Sequence, residues 1–138
     1  MAKTFTAPFA QTINNSSAVL TTLTGGITTD TVTNSVLLFT AGLEGSIVSV
    51  IEAMPRSTVT ATNIYLFSSI DSGTTLRLID CALMPAQTLS TTAAVTQTIF
   101  PSYTEDYPLR LKANERLYVA CSVTLASGIV VEARGMDY

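Results

Sequence analysis

Residues 116–138, RLYVACSVTLASGIVVEARGMDY, decide the fold class. Two apolar runs flank a short Ala126-Ser127-Gly128 turn, and in the first run Leu117, Val119, Cys121 and Val123 alternate with Tyr118, Ala120, Ser122 and Thr124. Strand side chains point to opposite faces with a period of two, so the first set belongs to a core and the second to the other face. Outward from this hairpin the same grammar recurs. Thr and Val, stiff at χ1 and suited to pleated backbone, are frequent, and no sustained i, i+3, i+4, i+7 apolar pattern supports a helix. The reading is all-β, with strands at Ala18–Leu23, Ser35–Ala41, Ser46–Met54, Asn63–Ser69, Thr75–Leu83, Ala94–Phe100, Leu109–Lys112, Arg116–Thr124 and Ile129–Gly135. Their spacing, punctuated by turns such as Asp71-Ser72-Gly73, predicts an antiparallel β-sandwich, with a jelly-roll arrangement as the expected form.

A chain of 138 residues fits one domain and can bury a core without metal or disulfide staples. The organisation expected is an extended N-terminal arm over 1–17, carrying Lys3, Phe5, Pro8, Phe9 and Ile13 before a polar NNSS end, and a single domain over 18–138. Thr24–Asn34 reads as a Gly/Thr/Asn-rich loop. Charged residues make up only 12% of the chain, about half the usual share of roughly 25%. Such depletion predicts that surface left bare in a monomer is covered by other chains. Two-sided strands point the same way: Val48 and Val50 oppose Ile47 and Ile51, while Leu76 and Leu78 oppose Ile79, Cys81 and Leu83.

The formal charge is −3 and Lys plus Arg total seven, which argues against nucleic acid as a partner, since many phosphates would have to be neutralised. No apolar run approaches the roughly 18 residues of a membrane span, and MAKTFTAPFAQT lacks a secretory apolar segment. The expectation is synthesis in a cytosol and no membrane partner. In that compartment Cys81 and Cys121 read as small buried hydrophobes and not as a disulfide. The match of Asn14-Asn15-Ser16 and Asn15-Ser16-Ser17 to the glycosylation sequon needs a secretory route for which the chain shows no signal.

Chemistry is sparse. With no His in the chain, Ser-His-Asp and Cys-His machinery and imidazole zinc sites are excluded, and phosphate-cradling or nucleophile-elbow motifs are absent. Glu105 and Asp106 in SYTEDYP form the one adjacent acidic pair, read as a solvated loop flanked by Tyr103 and Tyr107. Glu52, Asp80 and Glu132 lie within strands and are expected in salt bridges or interfaces. Tyr65 and Phe67 on one strand face are the best stacking candidates, though aromatic residues in strands are mostly packing. No catalytic residue, metal site or cofactor is expected.

The succession TNSVLLFTAG (33–42), GSIVSVIEA (45–53), TNIYLFS (62–68), RLI (77–79), YPLRLKANERLYV (107–119) and VVEARGMDY (130–138) resembles small structural proteins of tailed bacteriophages and prophages. The resemblance spans Val32 to Tyr138 and lies in strands and turns, with no catalytic motif. It implies a virion component, foremost a capsid decoration (cement) protein. Such proteins are β-sandwich homotrimers with extended arms, seated on the outer capsid surface against the major capsid protein. The expected contacts are then Phe5, Phe9 and Ile13 of the arm and Met136 and Tyr138 at the chain end. The alternative is a receptor- or glycan-binding domain of a tail fibre or baseplate, which would carry an aromatic-rimmed pocket; an enzyme ranks third, with Glu105 as the residue to test.

Overall fold

The computed structural model describes residue 10 and residues 12–138. Phe5 and Phe9 lie outside the described residues. The described chain is all-β, with strands β1 (Thr12–Leu20), β2 (Val36–Thr40), β3 (Ser46–Pro55), β4 (Thr62–Ser69), β5 (Arg77–Met84), β6 (Thr98–Ile99), β7 (Leu109–Leu111), β8 (Arg116–Cys121) and β9 (Ile129–Asp137). They form two antiparallel sheets. One runs β1-β9-β3-β6 with β7 also on β3, the other β2-β8-β4-β5.

Alternation in the sequence explains what the sheets bury. Leu117, Val119 and Cys121 are fully buried, as the period of two requires, and they join Phe39, Val48, Ile51, Ile64, Leu66, Val131 and Ala133 in one cluster drawn from both sheets. Each fully buried large apolar side chain stabilises by about 1.5–3 kcal/mol relative to exposure. A smaller cluster forms on the opposite face of the β2-β8-β4-β5 sheet, where Phe67, Leu76 and Ala120 are buried and Ile27 and Val32 pack against them. The Thr24–Asn34 segment is therefore more than a connector. Closed on itself by Thr33 N–H to Gly25 O (3.0 Å), it covers part of a sheet face that would otherwise be wet, and Asp30 ties it to Arg77 at 3.1 Å.

The β4–β5 hairpin shows how local chemistry sets a turn. Asp71 Oδ1 accepts from Thr75 N–H (2.9 Å) and Ser69 Oγ (2.8 Å), while Ser69 Oγ accepts from Gly73 N–H (2.8 Å). Ser72 and Gly73 have φ of 61° and 94°. A side chain at position 73 would also run into the Tyr118 ring, 2.9 Å from Cζ, so glycine is required twice over.

The structure corrects several sequence expectations. Thr12–Ser17 is not an arm: it forms most of β1, paired with β9 from Thr12↔Asp137 to Leu20↔Ile129. TINNSS shows no apolar alternation because its outward side chains face solvent at a sheet edge, and its inward Asn14 is satisfied by Asp137 (2.9 Å) and Thr40 O (3.1 Å). The strand ends at Leu20 and not Leu23, since Thr21 O is taken by Leu125 N–H at 2.8 Å. The strand expected over Ala94–Phe100 shrinks to Thr98–Ile99, paired only with Ala53 and Glu52. The strand expected over Thr75–Leu83 begins at Arg77, after the turn that Asp71 organises, and continues through Met84. β8 stops at Cys121, beyond which Ser122 Oγ accepts from Asn63 N–H (2.9 Å) and Thr124 Oγ1 from Leu23 N–H (3.1 Å). Cys121 is buried as expected, but Cys81 is exposed on β5; both thiols are free.

Candidate interaction surfaces

Three surfaces carry side chains that neither the core nor internal hydrogen bonding absorbs. The first is the outer face of the five-stranded sheet. Register places Ile13 opposite Met136 and Met136 opposite Ile47, so residues from β1, β9 and β3 form one apolar row. Ile13 is 73% exposed, and Tyr138, 40% exposed, follows immediately after β9. Three of the five expected contact residues, Ile13, Met136 and Tyr138, thus gather at one end of this face. Ile47 belongs with them, and its outward alternation on β3 is the signal that could have added it.

Asp137, between Met136 and Tyr138, faces the other way. Its carboxylate accepts from Asn14 Nδ2 at 2.9 Å and from the hydroxyl of buried Ser46, whose Oγ in turn accepts from Gly42 N–H at 2.9 Å. Tyr138 N–H donates to Gly45 O at 3.2 Å. The chain end is thereby latched to the loop before β3, which holds Met136 and Tyr138 in place. Farther along the same face charges replace apolar groups: Arg134 bridges Glu52 (3.1 Å) and Glu132 (3.0 Å), which stand opposite each other in the register. The carboxylate of Glu132, and then that of Glu52, hold the Arg134 guanidinium above its ordinary value. Glu52 and Glu132 therefore sit in salt bridges, as expected of strand carboxylates.

The second surface is β5, at the edge of the four-stranded sheet. Leu78 (45%), Ile79 (39%) and Leu83 (61%) are exposed along it together with Cys81. An edge strand this apolar is a template for association unless something covers or blocks it. Part of the edge is blocked from within, because Asp80 Oδ1 accepts from Cys81 N–H at 2.8 Å. The other Asp80 carboxylate oxygen is buried without a partner among the described residues. Partial burial, and after it the Asp80 charge, push the Cys81 thiol up; burial alone raises that of Cys121. Phe67, a stacking candidate in sequence, is fully buried and lies 6.4 Å from the Tyr65 ring in a tilted arrangement. It packs under Leu76 and is closed to any base or sugar.

The third surface is the SYTEDYP loop. Tyr103 N–H donates to Phe100 O (3.4 Å), Thr104 N–H to Tyr107 O (3.2 Å), and Tyr107 N–H to Thr104 Oγ1 (3.1 Å). This closed turn projects Glu105, Asp106 and Tyr107 into solvent and borders an open depression of about 400 Å³. Glu105 and Asp106 are exposed, in keeping with a solvated loop. Among the described residues, no group of three or more His, Cys, Asp or Glu side chains is placed to hold a metal ion.

No family model matches the chain, and no curated protein and no solved structure matches it.

Proposed function

We propose that this chain is a non-enzymatic virion structural protein, a capsid decoration (cement) protein that binds the outer surface of a phage head and stabilises it. The proposed architecture is a β-sandwich of jelly-roll type. Counting β6 and β7 as one interrupted strand beside β3 renumbers the two sheets as 1-8-3-6 and 2-7-4-5, the order produced when two Greek keys wind into eight strands. That architecture hosts many functions, and it is the surface that favours this one.

The observation that carries the reading is that part of the apolar exposure is grouped, in the row with Tyr138 on the five-stranded sheet and in the β5 stripe, beside residues such as Leu43 and Ile70 that are exposed outside both. In the proposal, the Ile13–Met136–Ile47 row with Tyr138 meets the major capsid protein, and the β5 stripe of Leu78, Ile79 and Leu83 meets neighbouring copies in a homotrimer. A subunit that binds only the assembled shell lowers the shell's free energy by mass action, and repeated contacts around a symmetric oligomer add avidity. Phe5 and Phe9 are proposed as further contacts. Light scattering coupled to size exclusion should give three times the chain mass of 14.6 kDa. The Ile79→Ser/Leu83→Ser variant should run as a folded monomer. Heads assembled from the capsid protein encoded with it should co-sediment with the trimer and resist heating longer. A protein that is monomeric and leaves such heads unbound overturns the proposal.

A further inference from the structure

The depression beside the SYTEDYP loop is lined by Ser102, Tyr103, Asp106, Tyr107, Leu109 and Arg110, among others. Its polar side chains are unspent. Among the described residues, neither the Tyr103 and Tyr107 hydroxyls, nor the Asp106 carboxylate, nor the Arg110 guanidinium makes a hydrogen bond or ion pair within the chain. Tyr107 is 78% exposed, an unusual position for a large aromatic ring, yet its backbone is held at both N–H and C=O by Thr104. Tyr103 is half-buried and packs against the main core. Burial, and then the Asp80 charge, raise its hydroxyl pKa, so it stays protonated at neutral pH and can donate. The result is one anchored ring, one exposed ring on a braced turn, and a carboxylate and a guanidinium between strand and loop.

We infer that this depression is a binding site for a neutral pyranose. An aromatic face stacks on the apolar C–H face of a sugar ring. Asp106 and Arg110 offer paired acceptors and paired donors in the planar geometry that suits neighbouring hydroxyls. A volume of about 400 Å³ falls at the small end of the ligand-site range, roughly 300–1,000 Å³, which fits one or two sugar rings. Charge selects against other ligands. Glu105, Asp106 and the nearby Asp80 outnumber Arg110, so sialic acid, uronic acids and phosphates are repelled, whereas an uncharged polyol is not. The site is independent of the two surfaces assigned above to capsid and trimer contacts. It stands or falls without them, and on a virion it would give each head many weak contacts to a glycan-bearing surface.

The test is a titration of the ¹⁵N-labelled protein with methyl galactoside, methyl glucoside, methyl mannoside and N-acetylglucosamine to tens of millimolar, followed by two-dimensional NMR. At least one of these should shift the amides of residues 102–110 selectively, with saturation in the millimolar range. The Tyr107→Ala variant, whose exposed side chain is not needed for folding, should keep the spectrum and lose at least tenfold in affinity. Asp106→Asn should weaken binding less, because the amide keeps one acceptor, and sialic acid should produce no shifts. No response to any neutral sugar, shifts centred elsewhere, or binding that survives Tyr107→Ala each overturns the inference.

Discussion

Neighbouring residues at the chain end have opposite tasks, and separating them is the sharpest test of the structure. Asp137→Ala removes the acceptor for Asn14 Nδ2 and for the Ser46 hydroxyl. Hydrogen bonds to a charged group contribute about 1.5–3 kcal/mol each. Both partners keep one other bond, Asn14 to Thr40 O (3.1 Å) and Ser46 Oγ from Gly42 N–H (2.9 Å), so values at or just below the lower end apply, about 1–1.5 kcal/mol for each, and the total loss is about 2–3 kcal/mol. For a domain of this size roughly 3–4 °C of Tm follows each kcal/mol, which gives a fall of roughly 6–12 °C. Asp137→Asn keeps one acceptor and should lose about half of that. Gly42→Ala should mimic Asp137→Ala, because its Cβ would lie 2.8 Å from Asp137 Cγ and displace the carboxylate. Met136→Ser removes an outward, half-buried side chain at a cost of about 1 kcal/mol, yet it should abolish co-sedimentation with heads. The assay pairs calorimetry with sedimentation at one protomer concentration, since association itself shifts Tm. An unchanged Tm for Asp137→Ala refutes the latch. Full head binding by Met136→Ser refutes the proposed role of the outward row as the capsid contact.

Two further outcomes follow from groups with shifted protonation. The Asp71 carboxyl is held below the ordinary carboxylate range, first by the Thr75 backbone N–H and then by Ser69. A depressed folded-state pKa stabilises above the unfolded value, so wild type should exceed Asp71→Ala in Tm at neutral pH, and the gap should close as pH falls below about 4. A gap that stays constant down to strong acid would remove the charged form from the argument. Cys81 is exposed while Cys121 is buried, so a thiol reagent should label one site in the native protein and both in denaturant. Because the Cys81 thiol is raised by burial and then by Asp80, labelling should be slower than for a free thiol at neutral pH and faster in Asp80→Asn; equal rates would refute the Asp80 contribution.

The features legible along the chain are local. Leu117, Val119 and Cys121 announce a core face because alternation is a property of one strand, and the turns at Asp71–Gly73 and Ala126–Gly128 are written in residues that tolerate their backbone. Only the Thr12–Ser17 part of β1 was illegible, for the same reason: with its outward side facing water and its inward Asn14 satisfied by Asp137 it carries no apolar period, whereas Ala18–Leu20 was read as strand. The sheet order, the row of Ile13, Met136 and Ile47, the burial of Phe67 beneath the loop that holds Ile27 and Val32, and the exposure of Cys81 emerge only when the strands are assembled. Each depends on pairing between segments far apart in the chain. Period-two alternation tells a residue which face it occupies but not which neighbour it meets, because register is fixed by the joint burial of every strand in the sheet.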